Sequence, residues 1–133
     1  MVRDRGTLER LAALEGYAQH LAGAAVAIVL VMAGNPAKVE QETFDEGRLA
    51  ERISLAAASH GLGAAVGWFA GEGRGAVKRI LEIPDERLVR TALSLGHPAQ
   101  NPPHGESTLL QGRKPPSDLV YEEHYGDDLT SLG

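Results

Sequence analysis

No cysteine occurs in the chain, which excludes disulfides, thiolate metal sites and a thiol nucleophile and fits a reducing compartment. Aromatic residues make up 5%, with a single Trp, too few for a base-stacking platform. The 13 Lys and Arg are outnumbered by 18 Asp and Glu, for a net charge of −5. Nonspecific nucleic-acid binding draws most of its affinity from clustered positive charge, so this balance argues against it. The longest apolar run is Ala24–Ala33, well short of the ~20 residues that a membrane-spanning helix needs. The opening MVRDRGTLER is not followed by an apolar run at signal-peptide distance. These absences predict a cytoplasmic protein with neither a nucleic-acid nor a membrane partner.

What is present points to one domain with a real core. Hydrophobic residues reach 43% of 133 positions, enough to exclude a wholly disordered chain. The stretch from Thr43 to Gly63 is the organising element. Thr43 and Glu46 have capping-box spacing, and Leu49, Ile53, Ala56 and Ala57 repeat at helical spacing. Ala50, Ser54, Ala57 and Ala58 are small enough to let another element approach the backbone, and Gly61 suits a C-cap. The spacing therefore predicts a buried helix ending at Gly61, followed by a strand over Leu62–Phe69. Around it, a helix over Leu8–Leu21 capped by Thr7, a buried strand over Ala24–Met32, a short helix AVKRILEI stopped by Pro84, and a strand over Arg87–Leu95 complete the order. The segment Gly96–Gln111 reads as an exposed loop, Asp118–Tyr121 as one more extended piece, and the last seven residues as a tail. The domain is expected to span 1–126, with 127–133 frayed. A three-strand sheet is narrow and its edges must be covered or paired, so the detached Asp118–Tyr121 piece is expected to pair with a partner's edge.

Few features carry chemistry by themselves. Gly71, Gly73 and Gly75 lie between a strand and a helix, where backbone N–H groups can cradle a phosphate. Their G-x-G-x-G spacing departs from the dinucleotide fingerprint, and a flexible turn fits it equally. Arg113 and Lys114 precede Pro115-Pro116 and are either a phosphate clamp or a solvated loop. The five histidines show no metal-ligand spacing. Trp68 stands just before the Gly-rich turn and suits either the core or one wall of a flat ligand.

Three pieces, in order, resemble the C-terminal half of the FMN-dependent nitroreductase family. Asp45–Gly63, DEGRLAERISLAAASHGLG, is similar to the family's central helix, which closes in L-A-A-x-x-x-G-L-G. Ile83–Ala99 resembles its strand ending in Leu-Gly-Tyr-Pro or Leu-Gly-His-Pro. Gly112–Val120, GRKPPSDLV, resembles its R-K-P-L-x-x-V-V close. The match runs from about Ala22 to Gly126. The resemblance implies an α+β fold of truncated nitroreductase type, with helices flanking a mixed sheet and a C-terminal extended segment that adds a strand to a partner. It implies a homodimer, or a hetero-oligomer with a flavoprotein subunit, with FMN at the interface. Val66, Gly67 and Trp68 would lie beside the flavin ring, and Arg113 or Lys114 would hold its phosphate. The implied activity passes electrons from NAD(P)H to a nitroaromatic, quinone or similar acceptor, with no catalytic side chain named. The family's opening Arg-Arg-Ser-x-Arg segment and its Asn-rich segment have no counterpart; Arg3-Asp4-Arg5-Gly6 does not match. That departure implies the alternative, a non-catalytic subunit on a degenerate form of the fold.

Overall fold

The computed structural model describes residues 1–99 and 114–127, which fall in two compact units, Met1–Ala99 and Gln100–Gly133. The first unit runs α1 (Arg5–Ala12), a 3-10 turn (Gln19–Gly23), β1 (Val26–Met32), a second 3-10 turn (Pro36–Lys38), α2 (Val39–Ser59), β2 (Gly63–Trp68), α3 (Gly73–Leu81) and β3 (Leu88–Gly96). Its three strands form one sheet in the order β1-β3-β2, antiparallel throughout. The chain is thus α+β, with helices flanking a small sheet. The resemblance implies a mixed sheet; no parallel pair occurs among the described residues.

The expected N-terminal helix is shorter than its apolar spacing suggests. Asp4, not Thr7, is its N-cap: the Asp4 carboxylate accepts the Thr7 N–H at 2.7 Å and the Thr7 hydroxyl at 2.8 Å. These bonds hold the Asp4 carboxyl below its usual range. The helix stops at Ala12 because Gly16 is drawn into a bridge with Phe69, where Tyr17 N–H donates to the Trp68 carbonyl at 2.7 Å and Ala70 N–H to the Glu15 carbonyl at 2.9 Å. Leu8, Leu11, Leu21, Phe69, Val77 and Val89 close the main core on this face of the sheet.

The long helix α2 covers the other face. It starts four residues before Thr43, so Thr43 is no cap; its hydroxyl donates back to the Val39 carbonyl at 2.7 Å. The entrance is secured instead by Glu42, whose carboxylate accepts the N–H groups of Gly34 (2.8 Å) and Asn35 (2.9 Å). The Asn35 and Gly34 bonds hold the Glu42 carboxyl below its usual range. The inward stripe is Glu42, Glu46, Ala50 and Ala57, with Ile53 half-buried beside it; of the expected Leu49, Ile53, Ala56 and Ala57, Leu49 and Ala56 are exposed. Ala50 packs with Leu30 and Leu93 in a second, smaller core. The far end closes as a Schellman motif: Leu62 N–H reaches the Ala57 carbonyl at 2.9 Å and Gly61 N–H the Ala58 carbonyl at 3.0 Å, with Gly61 at φ +70. That C-cap is the one expected.

In the second unit, the expected extension over Asp118–Tyr121 is replaced by a 3-10 turn, Pro116–Asp118, followed by bends. Pro115 and Pro116 remove two N–H donors from a ladder, and the Asp118 N–H folds back to the Pro115 carbonyl at 3.0 Å. The unit has no strand among its described residues. No helix among the described residues is long and apolar enough to cross a membrane.

Candidate functional site

The strand β2 is the edge of the described sheet, and its two faces differ. The Trp68 carbonyl accepts from Tyr17, so it points away from β3. In an extended strand a residue's N–H and C=O point to the same side and alternate residues agree. The N–H groups of Val66 and Trp68 therefore face away from β3, on the side where the Gly16–Tyr17 segment bridges to Phe69. The Val66 and Trp68 side chains lie toward α2 and remain 49% and 47% exposed. The Tyr17 ring covers one side of Trp68, with centroids 4.8 Å apart at 49°.

Between α2 and the ends of β2 and β3 lies a cavity of about 380 Å³. Val66 and Trp68 form its apolar side, with Gly47 and Ala50 across from them; Thr43, Glu46, Arg74, Arg90 and Thr91 supply the polar lining. The volume falls within the usual range of small-molecule sites, roughly 300–1,000 Å³.

Arg90 reaches this cavity because of a β-bulge. The β1–β3 register shifts between Val29 and Val31, so that Arg90 and Thr91 together stand opposite Leu30. Val89 and Ala92 consequently share the main core although they are an odd number of residues apart. Strict alternation counted back from Ala92 would have put Arg90 on the main-core face, away from α2; the bulge turns it to α2. Its Nε donates to one oxygen of Glu46, and its Nη2 to the Thr43 hydroxyl at 2.8 Å. Glu46 is 3% exposed, and its second oxygen, Oε1, is buried with no partner among the described residues. A carboxylate oxygen kept from water without a donor is costly, and Glu46 carries that cost beside the cavity it lines.

Gly67 sits on the opposite face. It is buried, and a Cβ there would collide with the Tyr17 carbonyl and the ring of His20. His20 Nδ1 shares a hydrogen bond with the Ser94 hydroxyl at 2.8 Å, while Nε2 is buried without a partner. Burial pushes the His20 pKa down. An unfolded histidine titrates near its usual value of about 6.5. The neutral ring's contribution to stability is therefore full above that pH and is lost as pH falls toward the lowered folded value. Thermal melts between pH 7.5 and 5 should show the parent losing stability more steeply than His20→Gln; equal slopes would mean that His20 is not linked to folding.

Of the residues singled out from sequence, Val66 and Trp68 line the cavity, and Gly67 backs the strand from the other side. Lys114 is exposed at the start of the second unit's described stretch, and Arg113 lies outside the described residues. The Gly71–Gly75 turn is closed to an outside anion. Glu15 places its carboxylate on it, accepting the Glu72 N–H at 3.0 Å, and a Cβ on Gly71 would strike that carboxylate. The chain supplies its own anion at the start of α3, and the glycines make room for it. Sequence reading missed Glu46 as a site residue, along with Arg74 and Arg90. The available signal was a charged residue in the apolar run RLVRTALSL.

This α+β arrangement is similar to part of several solved nitroreductase structures. A protein described as an NADH dehydrogenase/NAD(P)H nitroreductase from Bacteroides thetaiotaomicron matches with a TM-score of 0.64 and 31% identity, over 75% of this chain and 60% of that one. The FMN-dependent nitroreductase of Clostridium difficile R20291 matches at 0.62 and 23%, over 75% and 62%. The NADPH:FMN oxidoreductase of Vibrio harveyi, solved with NAD+, matches at 0.65 and 24%, over 95% and 58%. The latter two similarities concern the fold alone. The resemblance to the nitroreductase family read from the sequence thus holds in three dimensions. The chain spans about 60% of the length of the first of these structures. No protein-family model matches the sequence, and no curated protein matches it.

Proposed function

We propose that the chain is the flavin-ring-binding part of an FMN-dependent oxidoreductase of nitroreductase type, acting between NAD(P)H and a nitroaromatic, quinone or similar acceptor. The observation that carries this reading is the exposure of Val66 and Trp68 on an edge strand, beside a cavity also lined by the buried Glu46 carboxylate. Those residues fit a flavin ring, which has an apolar face, hydrogen-bond acceptors and one imide N–H. FMN, when bound, supplies the redox chemistry, taking hydride from NAD(P)H and passing electrons to the acceptor. The chain's own part is to exclude water with Val66 and Trp68 and accept at Glu46. On this reading Arg113 and Lys114 are phosphate contacts.

The same reading places the protein in the cytoplasm as a homodimer or a hetero-oligomer. Phe44 (65% exposed) and Leu55 (61%) are large apolar side chains on the outer side of α2, with Arg48 over the Phe44 ring, and association would cover them.

One observation favours the alternative, a non-catalytic subunit paired with a fuller flavoprotein. Arg3–Gly6 does not form a basic phosphate segment: Asp4 caps α1, and Arg5 pairs with Glu9 at 3.0 Å. Spectra of the purified protein before and after denaturation distinguish the two, together with flavin titration, NAD(P)H turnover and light scattering. The oxidoreductase reading expects released FMN, saturable rebinding, turnover with an acceptor and a mass above that of one chain. Absence of saturable FMN binding, alone or with a co-expressed flavoprotein partner, would remove it and leave the subunit reading.

A further inference from the structure

The segment Glu15–Tyr17 lies along the outer edge of β2 as a strap. The Ala70 N–H donates to the Glu15 carbonyl at 2.9 Å, Gly16 bridges to Phe69, and the Tyr17 N–H donates to the Trp68 carbonyl at 2.7 Å. The Glu15 carboxylate adds a bond from the Glu72 N–H at 3.0 Å. On either side of the strap the chain is fixed in the main core, by Leu11 and Ala12 before it and by Ala18 and Leu21 after it. Tyr17 itself is 65% exposed, with its ring against Trp68. The strap is thus a surface element strung between two buried anchors.

His20 stands under its C-terminal end. Its Nδ1 shares a hydrogen bond with the Ser94 hydroxyl of β3 at 2.8 Å. Its Nε2 and the Tyr17 carbonyl oxygen both crowd the point where a Cβ on Gly67 would lie. The ring therefore reaches from β3 to the Tyr17 backbone, through the space that Gly67 leaves. Nε2 is buried without a partner, and the Tyr17 carbonyl accepts no hydrogen bond among the described residues. A neutral imidazole tolerates this arrangement, with one nitrogen on Ser94. An imidazolium does not: both nitrogens then carry N–H, and the charge needs water or a carboxylate.

The neighbouring elements bring it no carboxylate. β1 and β2 carry no titratable side chain. β3 has Arg90, which is turned to α2 and Glu46. α1 presents Arg5, Glu9 and Arg10, all exposed, with Arg5 and Glu9 paired at 3.0 Å. On the strap, the Glu15 carboxylate is held at Glu72 and the Tyr17 ring at Trp68. Burial accordingly pushes the His20 pKa down.

Protonation leaves two responses. The ring leaves Gly67 for water, or the Tyr17 carbonyl turns to accept the Nε2 proton. Both act on the residue whose N–H and ring hold Trp68. We propose that His20 is a pH-sensitive latch: its protonation frees the Glu15–Tyr17 strap from the edge of β2 and uncovers Trp68 beside its cavity, while the flanking core anchors hold. The latch is closed above the ordinary histidine value of about 6.5 and opens as pH falls through the lower folded value. If flavin binds beside Trp68 as proposed above, its loosening in acid follows; a chain that binds no flavin keeps the latch, which is read without ligand.

Trp68 is the only tryptophan, so its fluorescence reports the strap. The ligand-free chain is titrated from pH 7.5 to 5, following the emission maximum and acrylamide quenching, with far-UV circular dichroism on the same samples. The expected result is a red shift and a rise in quenching below pH ~6.5, at unchanged circular dichroism. His20→Gln should lose this step. Glu15→Gln, which keeps an acceptor oxygen for the Glu72 N–H, should retain it. Tyr17→Ala should show the open level of quenching at both ends of the titration. His20→Asn replaces His20→Gln if that variant does not fold, and if neither folds, Tyr17→Ala decides. A parent whose emission stays constant, or changes only together with its circular dichroism, overturns the proposal. So does a step that persists in His20→Gln or Tyr17→Ala, or one that Glu15→Gln abolishes.

Discussion

Gly67→Ala is expected to destabilise the first unit severely, by ~3 kcal/mol or more. Overpacking a tight contact typically costs ~1–3 kcal/mol, and this position should reach the top of that range. The added methyl would meet the Tyr17 carbonyl and the His20 ring far inside the 3.0 Å that real Cβ atoms keep. The carbonyl belongs to backbone tied to Trp68 by the Tyr17 N–H bond, so it cannot move without breaking the bridge that shapes the edge of β2. At about 4 °C per kcal/mol or more for a domain of this size, the melting temperature should fall by ~12 °C or more. Gly47→Ala is the control. It lies within α2 with no atom within 4 Å of its would-be Cβ. The gain in helix propensity there should stabilise by roughly 0.5–1 kcal/mol. If calorimetry finds Gly67→Ala as stable as the parent, the 3-10 segment does not pack on β2 as described.

Gly67 also shows what the sequence could and could not disclose. The strand itself was legible from its apolar run between Gly61 and the Gly-rich turn, and the small residues of α2 announced that something packs closely on it. That Gly67 admits His20 and Tyr17 was not legible, because a contact across about 50 residues leaves no local period. The start of α2 was misplaced for a different reason. Thr43 and Glu46 have the spacing of a capping box, but Pro36–Lys38 already turns the chain and Glu42 ties the entrance to Gly34 and Asn35. A capping pattern inside an established helix has no free N–H groups to satisfy. Its two residues are released for other work, Thr43 and Glu46 both meeting Arg90. Periodicity could not find Arg90 either, since a bulge is a departure from period. The nitroreductase resemblance drew attention to β2, but the polar residues lining the cavity beside it come from α2, α3 and β3, and none of them is among the site residues carried over from the family.

The Glu46–Arg90 pair should show the strongest non-additivity in the molecule. Removing one partner of a buried pair leaves an uncompensated charge and typically costs ~3–5 kcal/mol, whereas replacing both with apolar residues is often close to neutral. Glu46 has a side chain 4% exposed and Arg90 one 21% exposed, so the carboxylate has the greater need of its partner. Arg90→Leu strands Glu46 with neither oxygen bonded by a cation, and it should sit toward the upper part of that range. Glu46→Leu should cost less, because the Arg90 guanidinium keeps Thr43 and has partial access to water. The double variant should recover most of the loss, giving a coupling energy at the upper end of the ~0.5–3 kcal/mol seen for residues in contact. The same double variant removes the orphan Oε1 and with it the acceptor proposed for the ligand ring. It should therefore fold well yet bind neither FMN nor riboflavin as the parent does. Urea unfolding of the four proteins checks the stability cycle, and flavin titration of the parent and the double variant checks the site. Additive losses would show that Arg90 and Glu46 do not act as a pair. Parent-like flavin binding by a stable double variant would show that the ring does not use Glu46.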